Sequence, residues 1–145
     1  MKPMMSAWVC LTAFAFAISA GEANGAETIV SKGVFHGGPH APADTASGGA
    51  SVIQLDNGQY ELRFGDDFTT TDGPDLFIYL SAAVDPGSDK AVANSAFVDA
   101  GILQSTSGGQ TYPLPAGFDP GRFKSVAVWC KQFSVLFGAA PLVSP

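Results

Sequence analysis

The chain has 145 residues, a net charge of −6 and two cysteines, Cys10 and Cys130. An acidic surface with no basic cluster argues against nucleic acid and anionic lipid as partners. About 120 residues remain after the N-terminal segment described next, enough for one domain with a real core.

Lys2 followed by an uncharged apolar run from Ala7 to Ala20, ending in small residues, has the layout of a secretory signal peptide. The run is short for a bilayer span. The expected division is therefore a signal peptide over residues 1–26, cut somewhere between 20 and 26, and a mature domain over residues 27–145. Cleavage after Ala26 removes Lys2 and Glu22 together and leaves the charge unchanged. No second apolar run is long enough for a membrane span. Cys10 leaves with the signal, so Cys130 has no partner within the mature chain. In an exported protein an odd cysteine suggests a free thiol, an intermolecular bridge, a cofactor ligand or a plain buried residue.

Along the mature chain, Thr28-Ile29-Val30 and Val34-Phe35 suggest a first strand, broken or bulged near Gly33. Residues 36–49 read as a surface loop carrying both histidines, His36 and His40. Asn57-Gly58 suits a two-residue hairpin turn. Pairing outward from it sets Leu55 against Tyr60, Ile53 against Leu62, and Ser51 against Phe64. Residues 65–74 are acidic and turn-rich. Residues 75–81 form a strand apolar on both faces, hence central. Residues 84–95 read as a polar loop. A short apolar piece at 97–103 is interrupted by Gly101. Residues 108–115 give a short strand whose prolines suit an edge. No window after the signal has an apolar repeat at helical period. Short β-branched and aromatic runs separated by Gly, Pro, Asn and Asp predict an all-β, antiparallel β-sandwich, jelly-roll-like and single-domain.

The last apolar stretch carries the cysteine. Alternation puts Lys124, Val126, Val128 and Cys130 on one strand face and Phe123, Ser125, Ala127, Trp129 and Lys131 on the other. A tight reversal at Lys131-Gln132 would set Cys130 against Phe133, Val128 against Val135 and Val126 against Phe137. Lys-Gln is poor chemistry for such a turn, so a wider loop or bulge is the alternative.

Several pieces in this order resemble one family. They are Gly33-x-Phe35 with His40, Asp67-Phe68, Gly73-Pro74-Asp75-Leu76 with Tyr79-Leu80-Ser81, and Gln110-x-Tyr112 with Leu114-Pro115. Ser125-Val126-x-Val128-Trp129-Cys130 and Phe133-x-Val135-x-Phe137-Gly138-x-Ala140-x-Leu142 complete them. The mature chain resembles the DM-thirteen domain, often labelled electron-transfer DM-thirteen. The resemblance implies a small all-β extracytoplasmic domain. Its cysteine is suspected of redox work, as a bare thiol or as a haem ligand, with an extracytoplasmic or redox protein as partner. Asp75, Tyr112 and Trp129 enter as residues of the family motif, and His40 as a candidate second haem ligand.

Thiolate is the reactive and ligating form of cysteine, and Lys131 supplies a positive neighbour. Cys-x-x-Cys-His is absent, which disfavours covalent c-type haem. Asp66, Asp67, Asp72 and Asp75 lack calcium-loop spacing and fit turn roles better, with Asp75 bracing the turn after Pro74. There is no Gly-x-Ser-x-Gly, His-Glu-x-x-His or phosphate-cradling loop, so a classical hydrolase is not indicated. Two readings stand: a redox domain centred on Cys130, and a non-catalytic module binding protein or carbohydrate, with the cysteine in its core.

Overall fold

The computed structural model describes residues 25–145. The expected signal segment, with Cys10, lies almost wholly outside the described residues. Nine strands follow one another: β1 (Thr28–Gly37), β2 (Ala46–Gln54), β3 (Tyr60–Phe64), β4 (Thr69–Thr70), β5 (Leu76–Ser81), β6 (Phe97–Ile102), β7 (Gln110–Pro113), β8 (Ser125–Cys130) and β9 (Val135–Pro141). A single helical turn, α1 (Asp89–Ala93), lies between β5 and β6.

All pairings are antiparallel, and the order is β6-β5-β8-β9-β1-β2-β3-β7, with β4 added to β2. The result is the expected all-β single domain, a sandwich that nearly closes into a barrel. Among the described residues no helix is long and apolar enough to cross a membrane. The two ends of the strand order, β6 and β7, meet through side chains. Gln104 Nε2 donates to the Thr111 carbonyl at 2.6 Å, and the Gln104 amide donates to the Tyr112 hydroxyl at 3.0 Å.

The β5, β8 and β9 strands are central because both of their faces are covered. Val126, Val128, Ile78 and Leu80 point inward to the main core with Phe35, Phe64, Phe68 and Phe137. Each fully buried branched aliphatic side chain contributes about 1.5–3 kcal/mol by leaving water. Ala127, Trp129, Tyr79, Leu136 and Ala139 point outward to a second cluster, closed by Val92 of α1. That helix is the element missing from the sequence reading. Ser88 caps it by accepting from the Ala91 amide at 3.2 Å, but one turn is too short to show a period.

Three expectations need correction. The β1 bulge falls at Ile29/Ser31, not at Gly33. Gly33 is instead a point of close approach: a Cβ there would stand 2.1 Å from the Pro141 carbonyl oxygen. The stretch expected as one loop, 36–49, is loop only over residues 38–45; its two ends belong to β1 and β2.

The third correction is the β2–β3 register, in which Gln54 opposes Tyr60, Val52 opposes Leu62 and Ala50 opposes Phe64. The Leu55 carbonyl accepts from Gly58, Gly58 takes φ +81°, and the Leu55 amide donates to the Gln59 carbonyl. This is a turn with a glycine bulge, one residue longer than the two-residue turn. The added residue swaps the faces of β2, so Val52 and Ala50 meet Leu62 and Phe64 in the core.

Candidate functional site around Cys130

Cys130 ends β8 with its side chain inward, as alternation predicts, and is 0% exposed. It is the only free cysteine among the described residues. Leu76 of β5 and Val135 of β9 flank it in the ladder. The tight reversal is not formed. Residues 131–134 make a wider loop, with Ser134 at φ +54°, and a bulge at Val128/Trp129 sets Val128 against Gly138 and Val126 against Ala140. Phe133 therefore does not cover the thiol; its side chain is 63% exposed.

Near this end of the barrel the backbone of Gly73 packs on Phe137 and Leu76, so closely that a Cβ would stand 2.8 Å from the Phe137 ring and 3.0 Å from the Leu76 side chain. A surface recess of about 350 Å³ lies alongside, walled by residues 72–76 and 102–106. Leu76 separates that recess from its ladder partner Cys130.

Outside the sheet, beneath the loop, Lys131 is held from several sides. Its ammonium donates to Asp99 Oδ2 at 2.7 Å and sits 3.5 Å from the centroid of the Phe77 ring. Tyr79 lies farther off, at 5.9 Å. Asp99, foremost through its hydrogen bond, holds the Lys131 pKa above its ordinary value, and the Asp75 carboxylate adds to that field. The Lys131 amide also donates to the Asp75 carbonyl at 3.0 Å. Asp75 thus ties the loop down through its backbone, rather than bracing the turn after Pro74 by accepting with its side chain. The turn role falls to Asp72, which accepts from the Gly73 amide, while Asp67 ties its segment to β2 by accepting from the Gly49 amide.

The other expected residues stand elsewhere. Trp129 packs in the outer cluster, 6.2 Å from the Tyr79 ring, which in turn stacks on Phe97 at 4.3 Å. Tyr112 is buried at the β6–β7 seam, where its hydroxyl donates to Gln110 Oε1 at 2.6 Å. Burial pushes its phenol pKa up.

His40 is at the surface, with Nε2 2.9 Å from Asp89 Oδ2. His36 is matched to Asp85 at 2.6 Å and donates from Nδ1 to the Gly37 carbonyl. The carbonyl, then Asp85, raise the His36 pKa against the opposing cost of burial. Histidines at 36 and 40 face aspartates at 85 and 89, a matched spacing of four that the sequence displays and that pins the β1–β2 loop to the segment around α1. Asp89 also accepts from the Leu136 amide at 2.7 Å. Among the described residues no group of three or more His, Cys, Asp or Glu is placed to hold a metal ion.

A haem held by Cys130 and His40 does not fit these residues. The thiol is enclosed in a packed core, and Cys130 does not line the surface recesses at 72–76/102–106, at Phe123–Lys124 or at Gly33–Val34. The imidazole is engaged at the surface. What remains available to Cys130 is the chemistry of a single thiol, which attacks a disulfide as thiolate to form a mixed disulfide and expel the other sulfur.

The family model described as electron transfer DM13 matches residues 39–142. No curated protein and no solved structure matches the chain.

Proposed function

Since the chain belongs to the electron transfer DM13 family, we propose that it is an exported electron-transfer domain whose redox group is the Cys130 thiol. The observation that carries this reading is the unpaired Cys130 at the end of a central strand, inside the segment matched to the family. Its partner in this reading is an extracytoplasmic redox protein bearing a disulfide. The Cys130 thiolate attacks one sulfur of that disulfide; the S–S bond breaks, a mixed disulfide forms, and the partner's second sulfur leaves as a thiolate. A further thiol, from the partner or another molecule, then releases Cys130.

Full burial of Cys130 in an apolar cluster favours a second reading, in which the thiol is inert packing and the domain binds protein or carbohydrate. Thiol titration of the folded protein with a neutral aromatic disulfide separates the two. Stoichiometric release of the chromophore under native conditions, absent in Cys130→Ala, supports the redox reading. A folded protein whose thiol stays unreactive over days sinks it in favour of the binding module.

A further inference from the structure

A thiol that exchanges with a partner must come into the open, and Cys130 is fully buried. Its position decides how that can happen. Cys130–Val135 is the last rung of the β8–β9 hairpin before the loop, so within that ladder it has a neighbouring rung on one side only. The loop itself holds on weakly. Residues 131–134 are all exposed, Phe133 among them, and Ser134 sits in the left-handed region that non-glycine residues avoid. Lys131 is the exception. Its ammonium lies between Asp99 of β6 and the face of Phe77 of β5, so one side chain fastens the hairpin end onto two neighbouring strands.

We propose that Lys131 is a latch controlling exposure of the Cys130 thiol. While its ammonium rests on Asp99 and Phe77, the last rung stays paired. When it lets go, the Lys131 amide is left with only its bond to the Asp75 carbonyl; once that opens too, residues 131–134 lift away, Cys130 unpairs from Val135, and Sγ reaches solvent at this end of the barrel. The proposal rests on Cys130 being the redox thiol and adds what governs its access. Lys131 acts through the loop and does not touch the reacting sulfur, so it is a positioning residue.

The test measures the rate at which the folded protein reduces neutral 4,4′-dithiodipyridine, for wild type, Lys131→Gln, Lys131→Arg and Asp99→Asn. Lys131→Gln is expected to react roughly tenfold faster, the scale set by losing an exposed ion pair together with a cation–π contact, and Asp99→Asn, which keeps the contact with Phe77, roughly threefold faster. Lys131→Arg keeps both contacts and should stay near the wild-type rate. In Lys131→Gln a positive charge is lost, which gives a thiolate no help in forming, so acceleration in that variant reports release of the loop. Below the unfolding transition the rate should be nearly independent of urea, because a local opening exposes little surface. Equal rates in all four proteins overturn the latch and leave the thiol reading standing. A rate that rises steeply with urea and tracks global unfolding also overturns it. Four folded but unreactive proteins overturn both.

Discussion

Replacing Cys130 by serine is the standard way to remove a thiol, and here it should damage the fold more than replacement by alanine. The thiol is fully enclosed among aliphatic and aromatic residues. Serine keeps the size but exchanges a weakly polar sulfur for a hydroxyl that must leave its water. An unpaired buried hydroxyl costs about 1–3 kcal/mol. Alanine leaves only a small void, worth about 1 kcal/mol at roughly 24 cal/mol per Å³ of residual cavity. Cys130→Ser is thus expected to lie below Cys130→Ala by about 1 kcal/mol and below wild type by about 2 kcal/mol. In a domain of this size 2 kcal/mol lowers Tm by roughly 6–12 °C. Urea denaturation of the three proteins, with a common m-value, measures the differences directly. A serine variant as stable as wild type would refute the reasoning, since it would mean that the side chain already meets water or a polar partner. With that order of stabilities, Cys130→Ala is the sounder control for any thiol assay.

Gly33→Ala should be destabilised by at least about 1–3 kcal/mol in chemical denaturation, because the new methyl meets the Pro141 backbone. Gly87→Ala, where nothing lies within 4 Å of the added carbon, serves as the near-neutral control. Tyr112→Phe removes the hydroxyl that accepts from Gln104 and donates to Gln110, and should cost about 1–2 kcal/mol. Amide exchange should then speed up first at Gln104, beside the seam, if that bond closes it. The His36–Asp85 pair gives a pH signature. The His36 pKa is raised on folding, so its stabilisation is complete below the unfolded value of about 6.5 and disappears as pH rises through the folded value. Comparing wild type with Asp85→Asn should show a gap at pH 5.5 that closes by about pH 8. Both side chains are substantially exposed, so the gap should be under about 1 kcal/mol.

Much of the fold was readable where local chemistry has one solution. Residues 76–81 are apolar on both faces and are indeed central, and the prolines at 113 and 115 mark a true edge. Alternation assigned Cys130 to the inner face and Trp129 to the outer one, which is how the two clusters divide them. The β2–β3 register was not readable, because Asn57-Gly58 serves a two-residue turn and a glycine-bulged one equally well, and Val52 and Ile53 offer an apolar residue to either face. Long-range side-chain pairings were invisible for a different reason. Lys131 meets Asp99 and Phe77 only after β5, β6 and β8 have aligned, and no local pattern announces such a meeting. The matched spacing of His36/His40 and Asp85/Asp89 was on view, but only the folded chain makes it a pair of contacts.

The strand order also has a kinetic side. β1 lies between β2 and β9, so the first strand of the domain finds one neighbour at once and the other only at the far end of the chain. Its junction with β9 joins His36 to Ala139, across more than a hundred intervening residues. Contacts this distant in sequence carry a loop-closure cost that must be met before they stabilise anything, and they slow folding to the millisecond-to-second range. A chain lacking residues 135–141 cannot complete this sheet. It would hold β1–β2–β3 as a meander with one apolar face uncovered, so folding of this domain waits on its ninth strand.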